Sequence, residues 1–316
     1  MTRSILILSN KSSGSSAVQR LLAQAIDLKC LKKTRHFENE SLYWTKAASA
    51  LNLPQRDMLD SEVPISPEMA QQDLIQLLQD NLPAGRLSDL PAQLLDNQLL
   101  DSQSLYRQPL DKSFIFEGWQ RLCEQFAPTL LEKSPHHLLQ WSALTLIMEC
   151  MAHLEGEVDF LLIGLVRNPM DTLYSAFRRW RTPPEALQYE WLSAYRNLRK
   201  LAEQLGDRVV IVRYEDLVTS LDPLAPVFDF CDAAPSASAR CLNRHSLLKW
   251  QQDPDFGFSL APEVNQLARS YGYSEKELAN APSRFWPLYR DLSRSLYQHT
   301  RWGKDLYFSL KRSDLW

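Results

Sequence analysis

Three stretches of the chain hold residues able to do chemistry. The first is Lys11-Ser12-Ser13-Gly14-Ser15-Ser16, where hydroxyls and one ammonium surround a glycine. A loop of small residues that opens a helix points backbone N–H groups outward at the positive end of the helix dipole, so this composition suits an anion, phosphate above all. The second is Arg167, followed by Asp171, Ser175 and Arg179. Arginine offers a planar fork matched to phosphate oxygens. Positions four apart share one side of a helix, which aligns a hydroxyl with a guanidinium. The third is His36-Phe37-Glu38-Asn39-Glu40, an imidazole and a pair of carboxylates. A base must lie within about 3 Å of the hydroxyl it serves; a solvated loop before a helix would carry the same residues.

Elements are needed to position these groups. Ile5–Leu8 is a continuous apolar run of the kind that forms a strand buried on both faces. Val18, Leu21, Leu22, Ala25 and Ile26 then recur at helical spacing, so the first loop joins a strand to a helix. A serine-rich connecting turn without a ligand would read the same way. Phe160–Val166 repeats the plan: an apolar strand ends at Arg167, Pro169 breaks the chain, and a helix is expected from about Met170. Strands are also expected within Asp27–Lys33, at Thr129 onward until the charges of Glu132 and Lys133, and in Val209–Leu217, read as another buried strand. Helices are expected at Glu68–Gln79, Leu87–Leu100, Phe114–Phe126 and Glu185–Gln204, with one or two more in Glu275–Trp316.

This alternation predicts an α/β fold, a central parallel sheet flanked by helices. Ligands of such sheets collect beyond the carboxyl ends of the strands, which puts Lys133 and His136 on the functional edge; a structural salt bridge for Glu132 or Lys133 fits equally. Residues 51–112, punctuated by prolines, read as a helical insertion or cover, and 275–316 as terminal helices, within one domain spanning 1–316. The net charge of −3 argues against a protein built around nucleic acid, so an anion must be held by local positive charge. No apolar run approaches the roughly 20 residues that span a bilayer, so no membrane contact is expected. The cysteines Cys30, Cys123, Cys150, Cys231 and Cys241 show no metal spacing and suit buried thiols in a reducing, cytoplasmic setting. The sequence leaves the oligomeric state open.

A nucleoside triphosphate loop would need Gly-Lys-Ser/Thr, whose hydroxyl holds Mg²⁺; here Gly14 is followed by Ser15-Ser16. The segment instead resembles the 5′-phosphosulfate loop of the PAPS-dependent sulfotransferases, commonly Pro-Lys/Arg-Ser/Thr-Gly-Thr/Ser-Thr/Ser. Ser12 stands where that family usually has Lys or Arg, and Lys11 where it often has Pro. Either Lys11 reaches the phosphosulfate from one residue earlier or the charge comes from elsewhere. Arg167 and Ser175 resemble the family's 3′-phosphate motif at its spacing, and Arg179 matches a further arginine of the tyrosylprotein branch. Glu132-Lys133-Ser134-Pro135 resembles the Glu-Lys-Thr-Pro segment of bacterial members. Arg213-Tyr214-Glu215-Asp216-Leu217 resembles a segment whose tyrosine lies against adenine. Ser246-Leu247-Leu248-Lys249-Trp250 resembles the tyrosylprotein Leu-Ser-Lys-Trp, whose lysine reaches the phosphosulfate, and could supply the charge missing at Ser12. Glu40-Ser41-Leu42-Tyr43-Trp44 resembles the Glu-x-x-aromatic-aromatic pattern that several sulfotransferases carry soon after the first helix, where the glutamate is catalytic. It makes Glu40 the first choice for a general base, with aromatics beside it to desolvate it and with Glu38 and His36 following.

What the resemblance implies is a P-loop-kinase-like sulfotransferase fold and transfer of a sulfuryl group from 3′-phosphoadenosine 5′-phosphosulfate (PAPS, leaving PAP) to a hydroxyl or amine. The acceptor would be a small molecule, carbohydrate or peptide. Glu40, Lys11 and Lys249 would be catalytic. Lys11, Ser12, Ser13, Gly14, Ser15 and Ser16 would hold the phosphosulfate with Lys249; Arg167, Ser175 and Arg179 the 3′-phosphate; and Tyr214 the adenine. No metal is expected. Two alternatives stand beside this reading: a phosphate-loop kinase or nucleotide hydrolase, and a protein that binds PAP without catalysis.

Overall fold

The computed structural model describes residues 2–31, 34, 38–83 and 110–312, with 301–312 as backbone. The helix expected at Leu87–Leu100 and the candidate base His36 lie outside the described residues. In chain order the elements are β1 (Thr2–Ser9), α1 (Ser15–Ala25), β2 (Lys29–Cys30), α2 (Tyr43–Ala50), α3 (Pro67–Asn81), α4 (Lys112–Gln125) and β3 (Thr129–Lys133). After them come α5 (His136–Leu139), α6 (Trp141–His153), β4 (Val158–Val166), α7 (Pro169–Trp180), α8 (Pro184–Leu205) and β5 (Val209–Arg213). The chain ends with α9 (Ala225–Phe230), α10 (Pro262–Ser270), α11 (Glu275–Leu278) and α12 (Trp286–Arg312).

All strand pairs are parallel, and the five-stranded sheet runs in the order β2-β3-β1-β4-β5. β1 is central because both neighbours claim it: Arg3 registers with Thr129 of β3 and with Asp159 of β4. Ile5 to Leu8 are accordingly inaccessible to solvent, as a strand covered on both faces must be. Parallel neighbours require crossovers, and helices supply them. α4 is tied to β1 by Trp119 Nε1, which donates to Ser4 Oγ at 3.2 Å. The later half of α8 lies on β4 at Gly164, where an added Cβ would meet Leu198 Cδ1 at 2.4 Å. Tyr195 of the same helix donates its hydroxyl proton to Leu165 O at 3.0 Å.

The buried strand expected at Val209–Leu217 is corrected in two ways. It stops at Arg213, and it is the sheet's edge, with Ile211 41% exposed. An edge strand has a neighbour on one side alone, so an apolar sequence does not guarantee cover.

Contacts divide the chain into two compact units. One comprises Met1–Val166 with Ala194–Leu242 and holds the whole sheet. The other comprises Arg167–Ser193 with Asn243–Trp316. Its core gathers Phe177, Phe256 and Trp286, whose ring centroids lie 4.9 Å (Phe177–Trp286) and 5.0 Å (Phe256–Trp286) apart. Among the described residues no helix is long and apolar enough to cross a membrane, and all five cysteines are free thiols.

Candidate active site

In the sheet unit, β1 gives way to a tight loop and then to α1. Ser12 and Gly14 both take left-handed backbone, with φ of 63° and 84°. That conformation is cheap for glycine and rare for serine. Gly14 is also needed for space: an added Cβ would lie 2.4 Å from Cε2 of Tyr214. The Ser13 amide returns to Asn10 O, and the amides of Ala17 and Val18 both return to Gly14 O. The first amides of a helix have no acceptor within it, and here they belong to the Gly14–Ser16 segment. Ser13 Oγ is 3.1 Å from the Tyr195 hydroxyl. Just before the loop, Ser9 Oγ and both polar atoms of the Asn10 side chain are buried without a hydrogen-bond partner.

β3 ends beside this loop with Lys133, which is 0% exposed. Its ammonium donates to Ser16 Oγ at 3.0 Å, to Glu38 O at 2.9 Å and to Glu40 Oε1 at 2.9 Å. Glu40 is buried, and its other oxygen lies 3.5 Å from His136 Nδ1. His136 in turn meets Ser61 Oγ at 3.1 Å through Nε2. Ser16 Oγ donates to Glu38 Oε2 at 2.9 Å, so a second carboxylate converges on the loop. The cluster joins hydroxyl, ammonium, imidazole and two carboxylates. Such a set can bind an anion through the loop and Lys133, and can accept a proton at Glu40.

Lys11 is placed differently from Lys133. Its ammonium donates to Leu59 O at 2.9 Å and to Asp60 O at 3.0 Å. The buried cation at the loop's serines is therefore Lys133, a residue the sequence puts on the functional edge without giving it a role. The Glu-Lys segment at the end of a strand was the available signal. Tyr43 and Trp44, expected beside the base, are buried in the core. The Tyr43 ring packs against Trp119 at 5.0 Å and its hydroxyl donates to Ile115 O, so these rings anchor α2 in the core. Glu40 is bonded to Lys133.

The second unit begins at Arg167, immediately after β4 in the chain. Asn168 caps α7, its Oδ1 accepting from the amide of Met170 at 2.8 Å, and Pro169 fits the first turn. Arg167 is buried, its Nη2 donating to Ser246 O at 2.8 Å. Asp171 Oδ1 accepts from the amide of Leu248 at 2.7 Å. These bonds bring the segment that carries Lys249 to the start of α7. Ser175 is half-buried, and Arg179 is exposed with its guanidinium 4.5 Å from the Trp180 ring. Thr172 Oγ1, in the first turns of α7, is buried without a hydrogen-bond partner. Tyr214, assigned to adenine, is buried in the sheet unit with its ring over Gly14.

Comparison with known proteins gives three findings. A family model described as the sulfotransferase family matches residues 4–234. No curated protein matches the chain. Among solved structures, the chain is similar to the sulfotransferase domain from the Synechococcus PCC 7002 olefin synthase, with 21% identity and a TM-score of 0.44, over 86% of this chain and 95% of that one.

Proposed function

The chain belongs to the sulfotransferase family, and from that membership we propose that it transfers a sulfuryl group from PAPS to a hydroxyl or amine, with Glu40 as the general base. The observation that carries this reading is the position of Lys133, whose ammonium touches both Ser16 of the anion loop and the carboxylate of Glu40. One cation thereby links the group that would hold a phosphosulfate to the group that would take a proton.

The residues present fit the donor. Hydroxyls, first-turn amides and a buried ammonium are phosphate ligands by chemistry, and the unpartnered polar atoms of Ser9 and Asn10 add buried hydrogen-bonding capacity next to the loop. When bound, PAPS supplies the sulfuryl group to be moved. Gly14, Ser15 and Ser16 hold its 5′ side, with Ser12 and Ser13 shaping the loop and Lys133 balancing charge. Lys11 and Lys249 are the further cations we assign to this end. We assign Arg167, Ser175 and Arg179 to the 3′-phosphate and Tyr214 to the adenine. Glu40 accepts the proton of the acceptor's hydroxyl or amine, and Lys133 holds the same carboxylate in place through its hydrogen bond to Oε1. By analogy with phosphoryl transfer, positioning and fixed charge then supply most of the rate. The acceptor is a small molecule, carbohydrate or peptide, and the free thiols suit a reducing, cytoplasmic setting.

Transfer of radiolabelled sulfate from PAPS to a panel of hydroxyl and amine acceptors tests the reading, together with thermal shifts in PAP and in ATP–Mg²⁺. We expect labelled product and stabilisation by PAP. Stabilisation by ATP–Mg²⁺ alone would point to a nucleotide kinase or hydrolase instead, and PAP binding without transfer to any acceptor or to water would leave a nucleotide-binding protein.

A further inference from the structure

Glu132 is a buried carboxylate with no part in the proposed chemistry. It precedes Lys133 on β3, and side chains alternate along a strand. Lys133 reaches Ser16 and Glu40, whereas Glu132 reaches Ser41, Ser134 and His137. Its Oε1 accepts the Ser41 hydroxyl at 2.6 Å and the Ser134 hydroxyl as well. Its Oε2 lies 3.6 Å from His137 Nε2, and the other nitrogen of that ring is 2.8 Å from Thr45 Oγ1 on α2.

Each of the two hydroxyls is used twice. Ser41 Oγ accepts from the amide of Tyr43 at 3.1 Å, and Ser134 Oγ accepts from the amide of Leu42 at 3.0 Å. A hydroxyl has one proton to give, so with both protons donated to the carboxylate, each oxygen is left as an acceptor for one amide of the chain at 42 and 43. That chain needs holding. Asn39 and Leu42 both have φ of 55°, the left-handed region, and between them lie only Glu40 and Ser41. Leucine in this conformation is costly and persists where surrounding bonds fix it.

We propose that Glu132 is a positioning residue for the reaction: through Ser41 and Ser134 it fixes the left-handed turn that aims Glu40 at Lys133. The inference rests on Glu40 being the base. It assigns the orientation of that base to a carboxylate on the opposite side of β3, which touches neither donor nor acceptor.

The test uses release of labelled sulfate from PAPS to water and calorimetric binding of PAP. Ser41→Ala and Ser134→Ala each remove a strut; Ser41→Thr and Ser134→Thr keep the hydroxyl. Misplacing a catalytic group by about 1 Å can cost on the order of a hundredfold. We therefore expect kcat to fall roughly ten- to hundredfold in the alanine variants, with the KM for PAPS and the affinity for PAP unchanged. The threonine variants should stay within about threefold of the parent. In a Glu40→Gln background, adding Ser134→Ala should cost nothing more, because the strut then has no base to aim. Wild-type kcat in both alanine variants, or a full additional loss in the Glu40→Gln background, would overturn the proposal. Should Ser134→Ala fail to fold, the Ser41 pair decides by the same criteria. If Glu40→Gln itself turns over normally, the assignment of the base has failed. If Glu40→Gln is inactive while the alanine variants are unimpaired, the positioning role alone has failed.

Discussion

Lys133 and Glu40 form a buried ion pair, and each has further bonds that tie it to the loop or to His136. Removing one partner leaves the other charge buried, which typically costs about 3–5 kcal/mol. Lys133→Met should therefore lower the free energy of unfolding by roughly 3 kcal/mol. Lys133→Met combined with Glu40→Gln should lose less than Lys133→Met alone; urea titrations of the three proteins check this. Glu40→Gln by itself keeps an oxygen for Lys133 but cannot take a proton. General base catalysis is worth about 10²–10⁴-fold, so turnover should drop at least a hundredfold while PAP affinity is nearly unchanged. Glu38→Gln should be milder, because an amide oxygen still serves Ser16. Arg167→Ala tests the other motif. Loss of a charge-assisted contact costs about 1.5–3 kcal/mol, and this should fall on PAP far more than on a 5′-monophosphate. Equal losses measured by calorimetry would show that Arg167 does not serve the 3′-phosphate.

The strand–loop–helix at the N-terminus depends on one glycine for two separate reasons. Gly14 has positive φ and lies under the Tyr214 ring. Gly14→Ala should therefore destabilise the fold by more than the roughly 1–2 kcal/mol that left-handed backbone alone costs, and should abolish PAP binding. A melting curve paired with calorimetry separates the two effects. This element was legible because its pattern is local: the apolar run Ile5–Leu8, the small residues and the helical spacing from Val18 are all in one stretch. The same holds for β4, Arg167 and α7, with Asn168 and Pro169 marking the helix start. What was not legible depends on remote contacts. Nothing near Lys133 in sequence says that it meets Ser16 and Glu40. The convergence of Glu38 and Glu40 depends on the left-handed backbone at Asn39, which neither helical nor strand periodicity encodes. Exposure of Ile211 depends on β5 being an edge, a property of strand order and not of its residues.

For the molecule as a whole, acid is the condition most directly tied to a single group. Burial alone would raise the pKa of Glu132, but the nearby His137 imidazole and the hydrogen bonds from Ser134 and Ser41 outweigh it and hold the carboxyl below its ordinary 4.5. The folded state thus gives up this proton more readily than the unfolded chain. Its contribution to stability is complete above about pH 4.5 and is lost as pH falls through the lower folded-state value. Thermal melts between pH 6 and about pH 3 should show Tm falling below that point, with a shallower fall in Glu132→Gln; parallel curves would rule the group out. The strand order has a consequence for how the chain is made. β1 leaves the ribosome first, yet its partners begin at Thr129 and Val158. At roughly 5–20 residues per second, the central strand of the sheet waits on the order of 8–30 s for its second neighbour. Through that interval it is an open edge that a chaperone must shelter or another nascent chain can claim.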